Sequence, residues 1–348
     1  MNASSSELVD LLADAVKKGD IPGAVAVYGS STEVSPFMHA GVRRYGGEAV
    51  NEETHYDLAS LSKVVATLPA ITKLISEGEL RLEDTVARFF SNAGWFQSPS
   101  LGQTSIRELL THSSGLAAWR PLFAWISERQ TGLANVLQSG LEHPKGSFVY
   151  SDLGFITLGA IIERISKQRQ DQFVKEQIFA PLGMNTIGYG PISKENVAAT
   201  EDCGWRNEVL EGTVHDENAY CLGQIAGHAG LFGRAQDLAL YAQAWLRLDP
   251  ILGKEEVLLE TQKEYIHQDG IRRGLGWALK GDNSFAGSLA TDLGYGHTGF
   301  TGTSLWLEPK ANWFAVLLTN RVHPSRHSGA AIQGIRQTFH DAVAREMA

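Results

Sequence analysis

Apolar positions along this chain change period several times, and each change marks an element. Leu8, Leu11, Leu12 and Val16 recur at the three-and-four spacing of one helical face, which predicts an amphipathic first helix. The stretches "GAVAVYGSS" and "FMHAGVRRYG" follow as short β-prone runs joined by polar turn residues, and predict an antiparallel pair. From Leu61 the period becomes helical again: Leu61, Val64, Val65, Leu68, Ile71, Leu74 and Ile75 form one buried face, until Gly78 stops it. Pro69 lies inside that face, removes a backbone hydrogen bond and predicts a bend.

Between about 80 and 200 the pattern is mostly helical. "SIRELLTHSSGL" opens with a Ser105/Glu108 capping box, and "DLGFITLGAIIERISKQ" and "DQFVKEQIFAPLG" carry helical faces. Beyond 203 the texture turns glycine-rich, then gives a helix ("AQDLALYAQAWLRL") and strand-like pieces. "TSLWLEP" and "NWFAVLLTN" flank a tight "KA" turn as a hairpin, and "GAAIQGIRQTFHDAVAREM" closes the chain as an amphipathic helix. The pattern therefore predicts an α+β fold. An antiparallel sheet built from both chain ends (1–78 and 201–348) is flanked by the N- and C-terminal helices, with an all-helical lobe (79–200) inserted between.

Length and composition narrow the classes. A chain of 348 residues outgrows a single small core and can enclose a cleft. Hydrophobic residues make up 43% and charged residues 20%, with no apolar run near the roughly 20 residues of a membrane span, so a globular chain is expected. Net charge is −9 with Lys and Arg scattered, Arg272-Arg273 being one of few doublets, which argues against nucleic-acid binding. The amino terminus lacks the apolar segment of a signal peptide, so the chain as written is expected in the cytoplasm; a processed periplasmic form would read the same. Cys203 and Cys221 have no metal-like spacing and read as structural thiols. Oligomeric state is not legible.

Three short motifs carry candidate chemistry. "LASLSKVVAT" places Ser60 three residues before Lys63 at a helix start. Residues i and i+3 share a face, so the amine reaches the hydroxyl, while helix-start N–H groups favour developing negative charge. A serine needs a base to become a nucleophile, and Lys63 can serve once its pKa is lowered by burial or by a neighbouring cation or hydroxyl network. Roughly one S-x-x-K arises by chance in such a chain, and a capping serine with a solvated lysine meets the same pattern. "GSFVYSDLGF" gives Tyr150-Ser151-Asp152, in which a phenol relays protons or is simply half-buried beside a capping residue. "GYGHTGFTG" sets His297-Thr298-Gly299 beside a strand, where glycines admit a substrate backbone; an exposed turn histidine is the plainer alternative.

The ordered set S-x-x-K, Y-x-D and H-T-G, with "LLTHSSGL" between the first two, resembles the serine β-lactamase and penicillin-binding-protein superfamily. The likeness runs from about residue 20 to 320. It is nearest the branch of class C β-lactamases, D-Ala-D-Ala carboxypeptidases, D-aminopeptidases and esterases, to which "VHDENA" (214–219) and "AGHAGLFG" (226–233) are also similar. The resemblance implies that Ser60 forms an acyl-enzyme while Lys63 and Tyr150 share the proton work. It further implies an oxyanion hole from the N–H groups of Ser60 and Phe300, with Asp152, His297, Thr298 and Gly299 contacting substrate.

Two positions depart from the family pattern. Asp152 stands where many β-lactamases have Asn, and His297 where many members have Lys. The first loses an amide donor and the second a permanent positive anchor for a substrate carboxylate. Both suit an esterase or peptidase acting on small esters, amides or D-amino-acid peptides. A true β-lactamase, a D,D-carboxypeptidase and a penicillin-binding sensor without turnover are the alternatives. His112 and His228 read as histidines satisfying backbone groups, with no metal and no cofactor expected. Asp216, Glu217 and Asn218 form either a solvated loop or a pocket rim.

Overall fold

The computed structural model describes residues 3–348. Gly23–Gly29 is buried along its whole length because both faces of its strand are covered. Ala24 and Ala26 face the helices Ala3–Lys17 and Ile332–Glu346, whose Leu8, Leu12, Phe339 and Val343 complete one core. Val25 and Val27 turn into the larger core on the other side. On one flank the strand pairs antiparallel with Met38–Gly41, as the sequence pattern predicts. On the other it pairs with Trp313–Thr319, Val27 opposite Val316, so the chain ends meet in one sheet.

Eight antiparallel strands follow in the order 38–41, 23–29, 313–319, 304–308, 295–298, 278–279, 271–273 and 266–268. The predicted hairpin is present, but its turn is longer than "KA": Glu308 pairs with Trp313, and residues 309–312 close it with Asn312 at φ 55. The helix Ala235–Leu246 and the helical segment 61–76 pack on the inner face. Among the described residues no helix is long and apolar enough to cross a membrane.

Two local features place the site. The segment Lys63–Thr67 is π-helical and passes into the α-helix Leu68–Ser76, with Pro69 in the first turn of the latter. The chain accommodates Pro69 by this change of ladder, since a first-turn residue needs no intrahelical N–H bond. Leu231–Gly233 pairs with both Tyr56–Asp57 and Gly188–Tyr189, tying "AGHAGLFG" to the segment before Ser60. Gly227 makes that docking possible: a Cβ there would lie 1.9 Å from the Phe155 carbonyl oxygen on the helix Asp152–Ser166.

Candidate active site

Ser60 is presented by a strained turn. Buried Asp57 accepts the Ala59 N–H at 2.8 Å and the His215 N–H at 2.7 Å, holding Ala59 at φ 46, the left-handed region that alanine seldom occupies. Three successive turn bonds follow, ending with the Lys63 N–H on the Ser60 carbonyl at 3.1 Å.

The Lys63 side chain is fully buried, and its ammonium donates to Ser60 Oγ at 2.8 Å and to the His228 carbonyl at 3.3 Å, and pairs with Asp152 Oδ1 at 2.7 Å. Three protons thus meet three acceptors. Burial alone would lower the amine, but the Asp152 carboxylate and then Tyr150 outweigh it, and the pKa is raised. This reverses the sequence expectation of a lowered Lys63, and the cause is Asp152, brought from 89 positions away in the chain.

The Tyr150 ring centroid lies 4.8 Å from Lys63 Nζ, 4.4 Å from the His112 ring and 6.0 Å from the His297 ring. His112 Nδ1 accepts the Ser151 N–H at 3.0 Å, the backbone-satisfying role expected of it. Burial, then Arg273 and Lys63, pushes it well below its ordinary value, so it is neutral. Ser151 caps the helix that begins at Asp152. His297 is likewise neutral, lowered by burial and then by Arg273 and Lys63, and its Nδ1 donates to the Thr298 carbonyl at 2.8 Å.

Thr298, at the end of the strand Tyr295–Thr298, and Gly299 and Phe300 after it border a cavity of about 330 Å³ that Ser60 and Tyr150 also line. Neither the Ser60 nor the Phe300 backbone N–H donates to a protein acceptor among the described residues. Arg336 Nη2 holds the Gly299 carbonyl at 2.8 Å and the Thr303 carbonyl at 2.9 Å, fixing the peptide whose N–H is that of Phe300. Arg321 Nε holds the Phe300 carbonyl at 2.8 Å. Such fixed, unspent donors suit a developing oxyanion.

Sequence reasoning missed those arginines. Arg273, Arg321 and Arg336 all line the 330 Å³ cavity, and none has a carboxylate partner among the described residues. Burial, then the Arg321 charge, lowers Arg336 to about 9, still charged at neutral pH. They supply the positive potential that His297 does not. The Arg272-Arg273 doublet was the only available signal.

A second cavity of about 390 Å³ opens on the other side of Ser60, with Asp152, Asp216 and Glu217 in its wall. The "HDEN" residues knit that wall together: Asp216 and Glu217 line the cavity, which favours the rim alternative for both, and Glu217 and Asn218 are buried. His215 pairs with Glu201 at 3.1 Å and Glu217 with Arg326 at 2.5 Å. Asp216 caps the helix Glu217–Cys221 and accepts from His228 Nε2 at 2.8 Å, which outweighs burial and lowers its pKa. The His228 ring thus bonds a carboxylate and not the backbone groups expected of it, its Nδ1 having no partner among the described residues. Asp152, Asp216 and His228 bring ligand-type atoms within 4.8 Å of one another, a group a metal ion could use, but the cation facing Asp152 is the Lys63 ammonium. Cys203 and Cys221 are both free.

The β-lactamase family model ("Beta-lactamase") matches residues 8–338. A protein of Escherichia coli K12 named "Putative D-alanyl-D-alanine carboxypeptidase" is 32% identical over 323 residues, covering 81% of this chain and 74% of that one. Among solved structures, EstCE1, a hydrolase with promiscuous acyltransferase activity, superposes with a TM-score of 0.80 at 21% identity, covering 98% of both chains. A class C β-lactamase gives 0.76 at 19% identity over 99% of both chains, a likeness of fold. By sequence and by fold, this chain belongs to the β-lactamase family.

Proposed function

We propose that the chain is a serine hydrolase that works through an acyl-Ser60 intermediate on small esters, amides or short D-amino-acid peptides. The observation that carries this reading is the 2.8 Å contact between Lys63 Nζ and Ser60 Oγ at the junction of two cavities. Ser60 Oγ attacks the substrate carbonyl and its proton leaves to the Lys63/Tyr150 pair. With Asp152 facing it, Lys63 carries its proton and supplies positive charge beside Tyr150, which relays: its phenol gives its own proton toward the leaving group as it takes the one from Ser60 Oγ. The Ser60 and Phe300 N–H groups take the carbonyl oxygen. The leaving group departs with the Tyr150 proton, and water or another acceptor releases the acyl group by the reverse path. Thr298 and Gly299 border the substrate, in a cleft between the lobe of 1–78 with 201–348 and the lobe of 79–200.

Intact-mass measurement after incubation with activated esters tests the reading. An acyl adduct is expected on the parent and none on Ser60→Ala; an unchanged hydrolysis rate in folded Ser60→Ala overturns it. The arginine cluster favours one narrower reading, a D,D-carboxypeptidase, because a peptide's terminal carboxylate fits three uncompensated guanidiniums. Release of D-Ala from a D-Ala-D-Ala peptide, measured beside a chromogenic cephalosporin, separates it from an esterase and from a β-lactamase.

A further inference from the structure

The two cavities that meet at Ser60 have unlike walls. One carries the three arginines. The other carries Trp119, and an aromatic row continues outward from it: Phe123 lies 6.2 Å from Trp119, Trp205 stacks on Phe123 at 5.4 Å, and Tyr220 meets Trp205 edge-on at 6.0 Å. Trp119 is 43% exposed and Trp205 50% exposed. Large aromatic side chains left open in a row beside a reactive cleft mark a binding surface.

The row is braced. Buried Asn218 donates from Nδ2 to the Arg120 carbonyl at 2.8 Å and accepts the Phe123 N–H at 3.4 Å, and the Arg206 guanidinium covers Tyr220 at 4.1 Å and Trp205 at 4.8 Å. Carboxylates on this side are paired, Glu217 with Arg326 and Asp216 with His228, while among the described residues Arg206 bonds only the Val214 and His215 carbonyls, so the surface offers flat aromatic faces with one guanidinium over the outer two. Tyr150 lines both cavities, and the arginines without carboxylate partners favour an anionic leaving group in theirs. The acyl group then faces the aromatic side.

We infer that Trp119, Phe123, Trp205 and Tyr220 form a subsite for the acyl portion of the substrate, which takes an acyl group bearing a flat ring. The inference rests on the serine-hydrolase reading above. Its test is the ratio of kcat/KM for p-nitrophenyl phenylacetate to that for p-nitrophenyl acetate, in which the shared leaving group cancels. In Trp119→Ala the ratio falls about tenfold from the parent value. Trp205→Ala lowers the corresponding ratio for the longer 4-biphenylacetyl ester about threefold. Trp95→Ala is the control, because Trp95 is similarly exposed but packs on Phe90 away from the cleft, and it leaves both ratios unchanged. A Trp119→Ala ratio within twofold of the parent, or an equal fall in Trp95→Ala, overturns the subsite. If those results come while Ser60→Ala is inactive, the subsite alone is lost; if Ser60→Ala hydrolyses the acetyl ester at the parent rate, the hydrolase reading fails as well.

Discussion

Gly299→Ala places one methyl group between the two segments that carry the proposed oxyanion donors. A Cβ at 299 would stand 2.5 Å from the Leu58 carbonyl oxygen and 2.1 Å from Thr303 Oγ1, against an ordinary contact of 3.4 Å or more. Thr303 Oγ1 is itself held on the Leu58 carbonyl at 3.2 Å in the buried interior, so it has little room to swing away. Relief therefore requires the 58–60 and 299–300 backbones to part by about 0.9 Å, the shortfall against that contact limit. A donor at about 2.9 Å from the oxyanion would then lie beyond hydrogen-bond reach. Loss of one such donor costs about 3 kcal/mol of transition-state stabilisation, or 10²–10³ in kcat, while overpacking costs about 1–3 kcal/mol of stability. The assay is steady-state hydrolysis of a p-nitrophenyl ester beside thermal denaturation. A kcat within threefold of the parent, in a variant that melts where the parent does, would refute the reasoning.

Three further outcomes are expected. Asp152→Asn removes the carboxylate that holds Lys63 raised, so the basic limb of kcat/KM, where the ammonium loses its proton, moves to lower pH; a limb that stays in place or moves up contradicts that role. Arg273→Met raises KM for carboxylate-bearing substrates about tenfold or more while uncharged esters are spared, because a charged hydrogen bond contributes about 1.5–3 kcal/mol; equal effects on both substrates would argue against an anion site. Burial lowers His340 from 6.5 to about 4, so the unfolded chain takes up the proton first. Its contribution, about 3 kcal/mol, is present above pH 6.5 and is lost as pH falls toward 4, where it levels off. Urea denaturation at pH 7 and at pH 4.5 should show a smaller loss in His340→Asn than in the parent, and an equal loss would exclude His340 as a source.

Much of the scaffold was legible from local pattern. The Ser105/Glu108 box caps its helix with both reciprocal bonds, the 23–29 and 38–41 runs pair, and the apolar face beginning at Leu61 is buried. These features depend on residues within a few positions of one another, and periodicity records them directly. Two details escaped because they are settled by backbone geometry rather than by which face is apolar: the π-helical passage ahead of Pro69, and the length of the turn at 309–312.

The sequence by itself determined that Ser60, Lys63, Tyr150 and the His297-Thr298-Gly299 segment exist in a known order, with a helix start beneath the serine. Only the tertiary structure decided the electrical state of that set. Asp152 reverses the expected shift of Lys63, three arginines stand in for the lysine missing at 297, and aromatic rings from 119, 123, 205 and 220 line up outside the cleft. The reason is physical: a pKa or a subsite depends on which side chains lie within a few ångströms in space, and for this cleft those neighbours come from segments up to 276 positions apart.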